Sequence, residues 1–193
     1  MKVNIKRIVG MWKLGYALDK HIISSVYMGD NAHGRPQFNT TRTEVGEALY
    51  QLKYRRDSGQ AAALAEAVCD NLCPRFGAVQ LVIPMPASKG RIRQPVYDVA
   101  QHLANLLGVH SFERLLLRRP GGAPLKDLHT RAEKDQALRG RISVVDGIDG
   151  SGPYAALLLD DLYDTGASLN AACVALRSYA KIGDIYVAAL TWK

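Results

Sequence analysis

The chain reads LLLDDLYDTGASL from Leu157 to Leu169. A run of leucines precedes an acidic pair, and a short glycine-containing turn then leads into residues with the apolar spacing of a helix. Such an apolar run predicts an inner strand of a parallel sheet, which is buried on both faces. In open α/β sheets, ligands bind beyond the carboxyl ends of the strands, so the turn after this strand is a candidate site.

The turn has the chemistry of an anion site. The start of the following helix offers free backbone N–H groups and the positive end of a dipole, and both favour a phosphate. Thr165 and Ser168 add hydroxyl donors, and Gly166 lets the backbone approach a ligand closely. Asp160 and Asp161 would suit a ribose diol or a hydrated magnesium ion. The alternative interpretation is an ordinary strand, turn and capped helix, with the two acids as turn residues.

The same stretch resembles the signature of the type I phosphoribosyltransferases, which bind 5-phosphoribosyl 1-pyrophosphate (PRPP). The resemblance implies that Asp160 and Asp161 orient the ribose hydroxyls and hold Mg²⁺, directly or through water. It also implies that Asp164 is a candidate proton acceptor or donor in catalysis. The residues that it assigns to PRPP are Asp160, Asp161, Tyr163, Asp164, Thr165, Gly166, Ala167 and Ser168.

A second loop, VIPMPASKGR over residues 82–91, falls where this family holds the pyrophosphate. That role needs backbone N–H groups and a cation beside a highly charged leaving group. The basic excursion at 118–140 matches the family's flexible lid, which excludes water when it closes. For each cation a solvated surface position is the alternative. The candidates for pyrophosphate are Ala87, Ser88, Lys89, Lys53 and Lys126, with Arg131 and Lys134 as further lid residues.

The bulk composition describes an ordinary globular domain. The chain has 193 residues, of which 48% are hydrophobic and 22% charged, and no apolar run approaches the ~20 residues of a membrane span. The N-terminus lacks the apolar core of a signal peptide, so we expect a cytoplasmic protein without a membrane partner. Cys69, Cys73 and Cys173 are predicted to be core thiols.

The net charge is +7, and the basic residues concentrate at 114–141 and 89–93. A basic chain suits a polyanionic small substrate such as PRPP, and it equally suits nucleic acid. Composition alone leaves both partners open.

Strands alternate with helices along the chain, which predicts an α/β fold with a mostly parallel open sheet and helices on both faces. Residues 1–42 are predicted to be an N-terminal β-hairpin or extension of the same unit, with a strand over 22–27. Residues 43–193 are predicted to be the phosphoribosyltransferase-like domain, with a flexible hood or lid.

Local signals place some helix ends. Thr43 is the expected N-cap of the first helix, and the basic run at 53–57 is expected to break that helix. Amphipathic spacing predicts a further helix that begins near Pro95 and ends at Gly108.

The chain also resembles the ComF-like (amidophosphoribosyltransferase-like) subgroup over about residues 45–193, through Leu52–Arg55 and Ile83–Pro86. The resemblance implies an enzyme that uses PRPP and Mg²⁺, transfers the phosphoribosyl group to an unidentified nitrogen nucleophile and releases pyrophosphate. It also implies a small-molecule acceptor and a homodimer. The alternative is a non-catalytic PRPP- or nucleotide-sensing module, or an adaptor for a DNA-processing partner, on the same fold.

Overall fold

The computed structural model describes residues 1–87, 94–119, 121, 128 and 130–193, without the side chains of Arg131 and Asp135. The strands in these ranges are β1 Lys6–Arg7, β2 Leu14–Lys20, β3 Ile22–Asp30, β4 Pro36–Arg42, β5 Leu81–Pro84, β6 His110–Ser111, β7 Leu116–Arg118, β8 Ile142–Val144, β9 Tyr154–Tyr163 and β10 Ile182–Trp192. The α-helices are α1 Glu44–Tyr50, α2 Gly59–Asn71, α3 Pro95–Leu107, α4 Arg131–Leu138 and α5 Ala167–Arg177.

Within the described ranges, the main sheet has six strands in the order β1-β2-β10-β9-β5-β6. The central strand β9 runs parallel to both neighbours, and Leu158 lies opposite Val187 of β10 and Ile83 of β5. β2 and β6 continue the parallel pairing outward, and β1 is antiparallel at the edge. The predicted α/β fold with a mostly parallel sheet is confirmed.

Helices cover both faces of the sheet. Leu157 and Leu159 are fully buried against the layer that contains α1, α2 and α3. Leu158 is fully buried in the opposite layer, with α5 and the antiparallel β7–β8 pair. The leucine run is continuous because successive strand residues face opposite sides, and both sides are apolar here.

The N-terminal segment has two parts. β2 belongs to the main sheet, where Lys20 at its end lies opposite Trp192 of β10. β3 and β4 then form a separate antiparallel ribbon, so the strand predicted over 22–27 is confirmed. Tyr27 and Phe38 pack against each other on this ribbon and remain largely exposed. The division of the chain at residue 42 stays a prediction.

Three predicted helix ends are confirmed. Thr43 accepts a hydrogen bond from the Gly46 backbone N–H at 3.0 Å. α3 starts at Pro95, and Gly108 ends it in the left-handed conformation. The predicted break at 53–57 is wrong in its first half, because the chain continues from α1 as a π-helical turn, Gln51–Arg55.

Of the predicted core thiols, Cys173 is buried, whereas Cys69 and Cys73 are half-buried. Desolvation raises the pKa of both Cys73 and Cys173 to about 12. None of the helices in the described part of the chain has the length and apolarity that a membrane crossing needs.

Gly46 allows α1 to pack directly on the end of β2. A Cβ atom at this position would lie 2.1 Å from the carbonyl oxygen of His21. We therefore expect Gly46→Ala to lower the free energy of unfolding in urea by about 1–3 kcal/mol, as overpacked sites do. Gly59→Ala, at the start of α2, is the control and should be neutral or stabilising by up to about 1 kcal/mol. A stabilising Gly46→Ala would contradict the close approach.

Candidate functional site

The predicted phosphate turn lies at the carboxyl edge of the sheet. β9 ends there, the turn at 164–166 follows, and α5 begins at Ala167. A cleft of about 210 Å³ opens at this edge and contains every predicted PRPP-binding residue except Asp161. Its lining residues are Lys134, Asp160, Leu162, Tyr163, Asp164, Thr165, Gly166, Ala167, Ser168, Leu169 and Lys193.

Gly166 shapes the turn. It adopts φ +78° and ψ 1°, and a Cβ atom there would lie 3.0 Å from Cε2 of Tyr163. Both the left-handed backbone and the lack of space favour glycine. Among the described residues, no side chain caps the α5 N-terminus, so its first N–H groups lack intrahelical partners and can receive an anion.

The acid pair lies inside the strand and not beyond it. Leu162 and Tyr163 pair with Thr191 and Trp192 of β10, which extends β9 past both acids. The pair therefore lies near the carboxyl end of β9, as the sequence predicts, and two further strand residues follow it. Because strand residues alternate between faces, Asp160 and Asp161 project to opposite sides of the sheet, and it is Asp160 that lines the cleft.

Asp160 is in an unfavourable environment for its charge. Burial and the neighbouring charge of Asp161 raise the pKa of Asp160 to about 7. The Asp161 backbone N–H donates to Oδ1 of Asp160 at 2.8 Å, and the charges of Lys53 and Arg118 oppose the rise. A hydroxyl donor or a cation placed next to Asp160 would therefore stabilise the charged form of its carboxyl group.

Asp161 forms an ion pair with Lys53 on the other face of the sheet. Lys53 is carried by the π-helical turn that follows α1. The two side chains are 17% and 29% exposed, so the pair is partly shielded from solvent. Lys53, a candidate for pyrophosphate, thus contacts the acid pair, and its contact with pyrophosphate stays a prediction.

His21 lies near the same ion pair. Burial lowers the pKa of His21, and the charges of Lys53 and Arg42 lower it further. No local sequence signal predicts this neighbourhood, because His21, Lys53 and Asp161 come from three separate parts of the chain. The same holds for Arg118, whose charge acts on Asp160 from another strand, β7.

A second ion pair joins the lid region to the phosphate turn. Nζ of Lys134, on α4, lies 2.7 Å from Oδ2 of Asp164. Lys134 is only 12% exposed, whereas Asp164 is 46% exposed. Helix α4 lies within the 118–140 excursion, and it places Lys134 beside the predicted phosphate turn.

The predicted pyrophosphate loop is described only at its start. Ala87 follows β5, whose last residue, Pro84, lies opposite Leu159 of β9. The loop thus begins beside the acid pair. Ser88, Lys89 and Lys126 lie outside the described residues, so their roles stay predictions.

A magnesium site built from protein groups alone is not evident. The described residues contain no group of three or more His, Cys, Asp or Glu side chains that could hold a metal. Mg²⁺ is commonly held by one or two carboxylates together with substrate phosphates and water. Asp160 in the cleft fits that arrangement, while one oxygen of Asp161 is engaged by Lys53.

No protein-family model and no curated protein matches the chain. The adenine phosphoribosyltransferase of Trypanosoma brucei, solved with AMP, pyrophosphate and ribose-5-phosphate, matches 98% of this chain and 74% of its own, with 12% identity and a TM-score of 0.50. That match establishes the likeness of fold. The chain has the phosphoribosyltransferase fold.

Two further solved structures are similar at lower TM-scores. The adenine phosphoribosyltransferase of Leishmania tarentolae matches 98% of this chain and 95% of its own, with 8% identity and a TM-score of 0.49. A hypoxanthine phosphoribosyltransferase of Staphylococcus aureus matches 70% of this chain, with 15% identity and a TM-score of 0.39. The chain spans 65% of the length of that protein.

The raised pKa of Asp160 predicts a pH-dependent stability difference. In the unfolded chain an aspartate releases its proton near pH 4, whereas folded Asp160 keeps it to about pH 7. This residue therefore makes the fold less stable as pH rises from about 4 to about 7. Urea unfolding of Asp160→Asn should show a gain in stability over wild type that grows across this window.

The exposed turn residue Asp149 provides a control, because Asp149→Asn also removes one acid. Its stability difference from wild type should not follow the same course. A difference for Asp160→Asn that stays constant or shrinks between pH 4 and pH 7 would refute the assignment.

Proposed function

We propose that this protein binds PRPP at the cleft and transfers its phosphoribosyl group to a nitrogen nucleophile, with release of pyrophosphate. The observation that carries the proposal is the uncapped start of α5, which opens with Gly166 into a cleft that also contains Asp160. The phosphoribosyltransferase fold supports it.

The 5′-phosphate would bind at residues 164–168. The N–H groups at the start of α5 and the hydroxyls of Thr165 and Ser168 are suitable donors, and the helix dipole favours the charge. Asp160 would accept hydrogen bonds from the ribose hydroxyls and hold the ring in position, which is catalysis by orientation.

The reaction breaks the bond between C1′ and the pyrophosphate oxygen and forms a bond between C1′ and nitrogen. Positive charge develops on the ribose ring, and the nearby carboxylates can stabilise it. The attacking nitrogen loses a proton, and Asp164, which is half-exposed at the cleft mouth, is the candidate to accept it.

The pyrophosphate end would lie toward the loop that begins at Ala87, with Ser88, Lys89, Lys53 and Lys126 as its proposed partners. Bound Mg²⁺ would neutralise part of the pyrophosphate charge, with Asp160 as the proposed protein ligand and Asp161 as a further candidate. The Trypanosoma enzyme was solved with pyrophosphate and ribose-5-phosphate, and we propose these same chemical groups for this site. The ComF-like resemblance stays a sequence hypothesis and leaves the acceptor unnamed.

Titration calorimetry with PRPP and Mg²⁺ tests the binding step. Wild type should give saturable heat, and Asp160→Asn should weaken binding about tenfold or more, which is about 1.4 kcal/mol, because an amide oxygen accepts hydrogen bonds less strongly than a carboxylate. Asp149→Asn is the control with the same charge change and should bind as wild type does. Absent heat, or equal affinities for wild type and Asp160→Asn, would reject the site.

A pyrophosphate-release assay tests the chemical step. Wild type with PRPP and Mg²⁺ should release pyrophosphate with at least one acceptor from a panel of nucleobases, ammonia and glutamine. Asp164→Asn should slow that release without weakening PRPP binding, because its proposed role is proton transfer. Tight PRPP binding without release from any acceptor would reject catalysis and favour the sensing alternative.

A further inference from the structure

Lys134 is an unusually buried cation at the mouth of the cleft. Its side chain is 12% exposed, and its Nζ contacts Oδ2 of Asp164 at 2.7 Å. Lysine is rarely buried to this extent without a partner. Its partner Asp164 is 46% exposed, so this carboxylate can turn toward water at little cost. The ammonium group of Lys134 is more shielded and has less access to water.

The position of Lys134 is set by folded structure. Thr130 and Glu133 form a capping box at the start of α4, with hydrogen bonds of 2.8 and 3.2 Å. Leu138, at the end of α4, is 1% exposed. A helix anchored at both ends therefore delivers the ammonium group to the cleft.

A phosphate in the turn at 164–168 creates an electrostatic conflict that Lys134 can resolve. The phosphate dianion would approach the carboxylate of Asp164 within the same small cleft, and like charges repel. A phosphate carries more charge and more acceptor oxygens than a carboxylate. The ammonium group of Lys134 has three N–H donors, so it can redirect its hydrogen bonds from Asp164 to the phosphate, or donate to both.

We propose that Lys134 is a ligand of the substrate's 5′-phosphate, and that Asp164 occupies this cation in the free protein as a stand-in for the phosphate. The inference rests on the proposed function, since it requires a phosphate ester at residues 164–168. The sequence resemblance made Lys134 a candidate for the pyrophosphate. The present assignment places it instead at the 5′-phosphate, the opposite end of PRPP. Lys134 then selects for ligands that carry the 5′-phosphate.

The test measures affinity for ribose 5-phosphate, which lacks the pyrophosphate. Lys134→Met should weaken its binding at least tenfold, both in the wild-type chain and in the Asp164→Asn background. Asp164→Asn alone should strengthen binding, because it frees the cation and removes a negative charge. Binding of inorganic pyrophosphate should change less than twofold in Lys134→Met.

The double variant separates direct from indirect action. If Lys134 only neutralises Asp164, then Lys134→Met will have no effect once Asp164 is already Asn, and the proposal is overturned. A loss of pyrophosphate binding with ribose 5-phosphate binding intact overturns it as well. Lys134→Arg should retain most of the affinity, and near-wild-type circular dichroism of each variant shows that it is folded.

A matched control is available on the surface. Lys13 and Asp184 also form an ion pair of 2.7 Å, and both are largely exposed. Lys13→Met removes the same charge from the chain and should leave ribose 5-phosphate affinity unchanged. An equal loss in Lys13→Met and Lys134→Met would show a general charge effect and overturn the assignment.

Failure of the Lys134 assignment can be told apart from failure of the proposed catalytic function. If wild type binds ribose 5-phosphate with the expected Lys134 dependence but releases no pyrophosphate from PRPP, the catalytic proposal fails and the Lys134 assignment stands. If Lys134→Met binds ribose 5-phosphate as wild type does, the assignment fails alone. If wild type does not bind it at all, both fail.

Discussion

The parallel pairing of β9 with β10 places the start of α5 at the carboxyl edge of the sheet, and the site depends on that placement. The pairing continues to Tyr163 and Trp192, so only three residues separate the end of β9 from the first residue of α5. Gly166 makes so short a connection feasible through its left-handed backbone. The free N–H groups of α5 thus lie beside Asp160, and a single ligand can reach both.

Charge at this edge is arranged in opposed pairs. Asp161 meets Lys53 on one face of the sheet, and Asp164 meets Lys134 at the mouth of the cleft. Asp160 has no comparable ion pair among the described contacts, and its pKa is raised. The cleft therefore combines amides that suit an anion with a carboxyl group that suits hydroxyls or a cation. A sugar phosphate carries both kinds of group.

The sequence predicted the features that follow from local patterns. The leucine run predicted an inner parallel strand because the core layers on both faces of the sheet are apolar. Thr43 marked a helix start through its side-chain hydroxyl, and Gly108 marked a helix end through its left-handed backbone. The end of β9 was not predictable, since strand length here depends on pairing with Thr191 and Trp192, far along the chain. The same holds for the partners of Lys53 and Lys134, which lie on elements that only the fold brings together.

Which of the two acids can contact a ligand also could not be predicted from the sequence alone. Two adjacent aspartates at the carboxyl end of an apolar run predict a common ligand. Once pairing extends the strand, alternation sends their side chains to opposite faces, and one acid is left to line the cleft. The fold class could be predicted from pattern, but the division of roles between Asp160 and Asp161 required the register.

We propose that the turn at 164–168 receives a phosphate ester through its amide hydrogens. Titration of ¹⁵N-labelled protein with ribose 5-phosphate, followed by amide NMR shifts, tests it most directly. We expect saturable shifts that are largest at Thr165, Gly166, Ala167 and Ser168, and much smaller shifts with ribose alone. Equal shifts with ribose, or phosphate-dependent shifts confined to other parts of the chain, would contradict it.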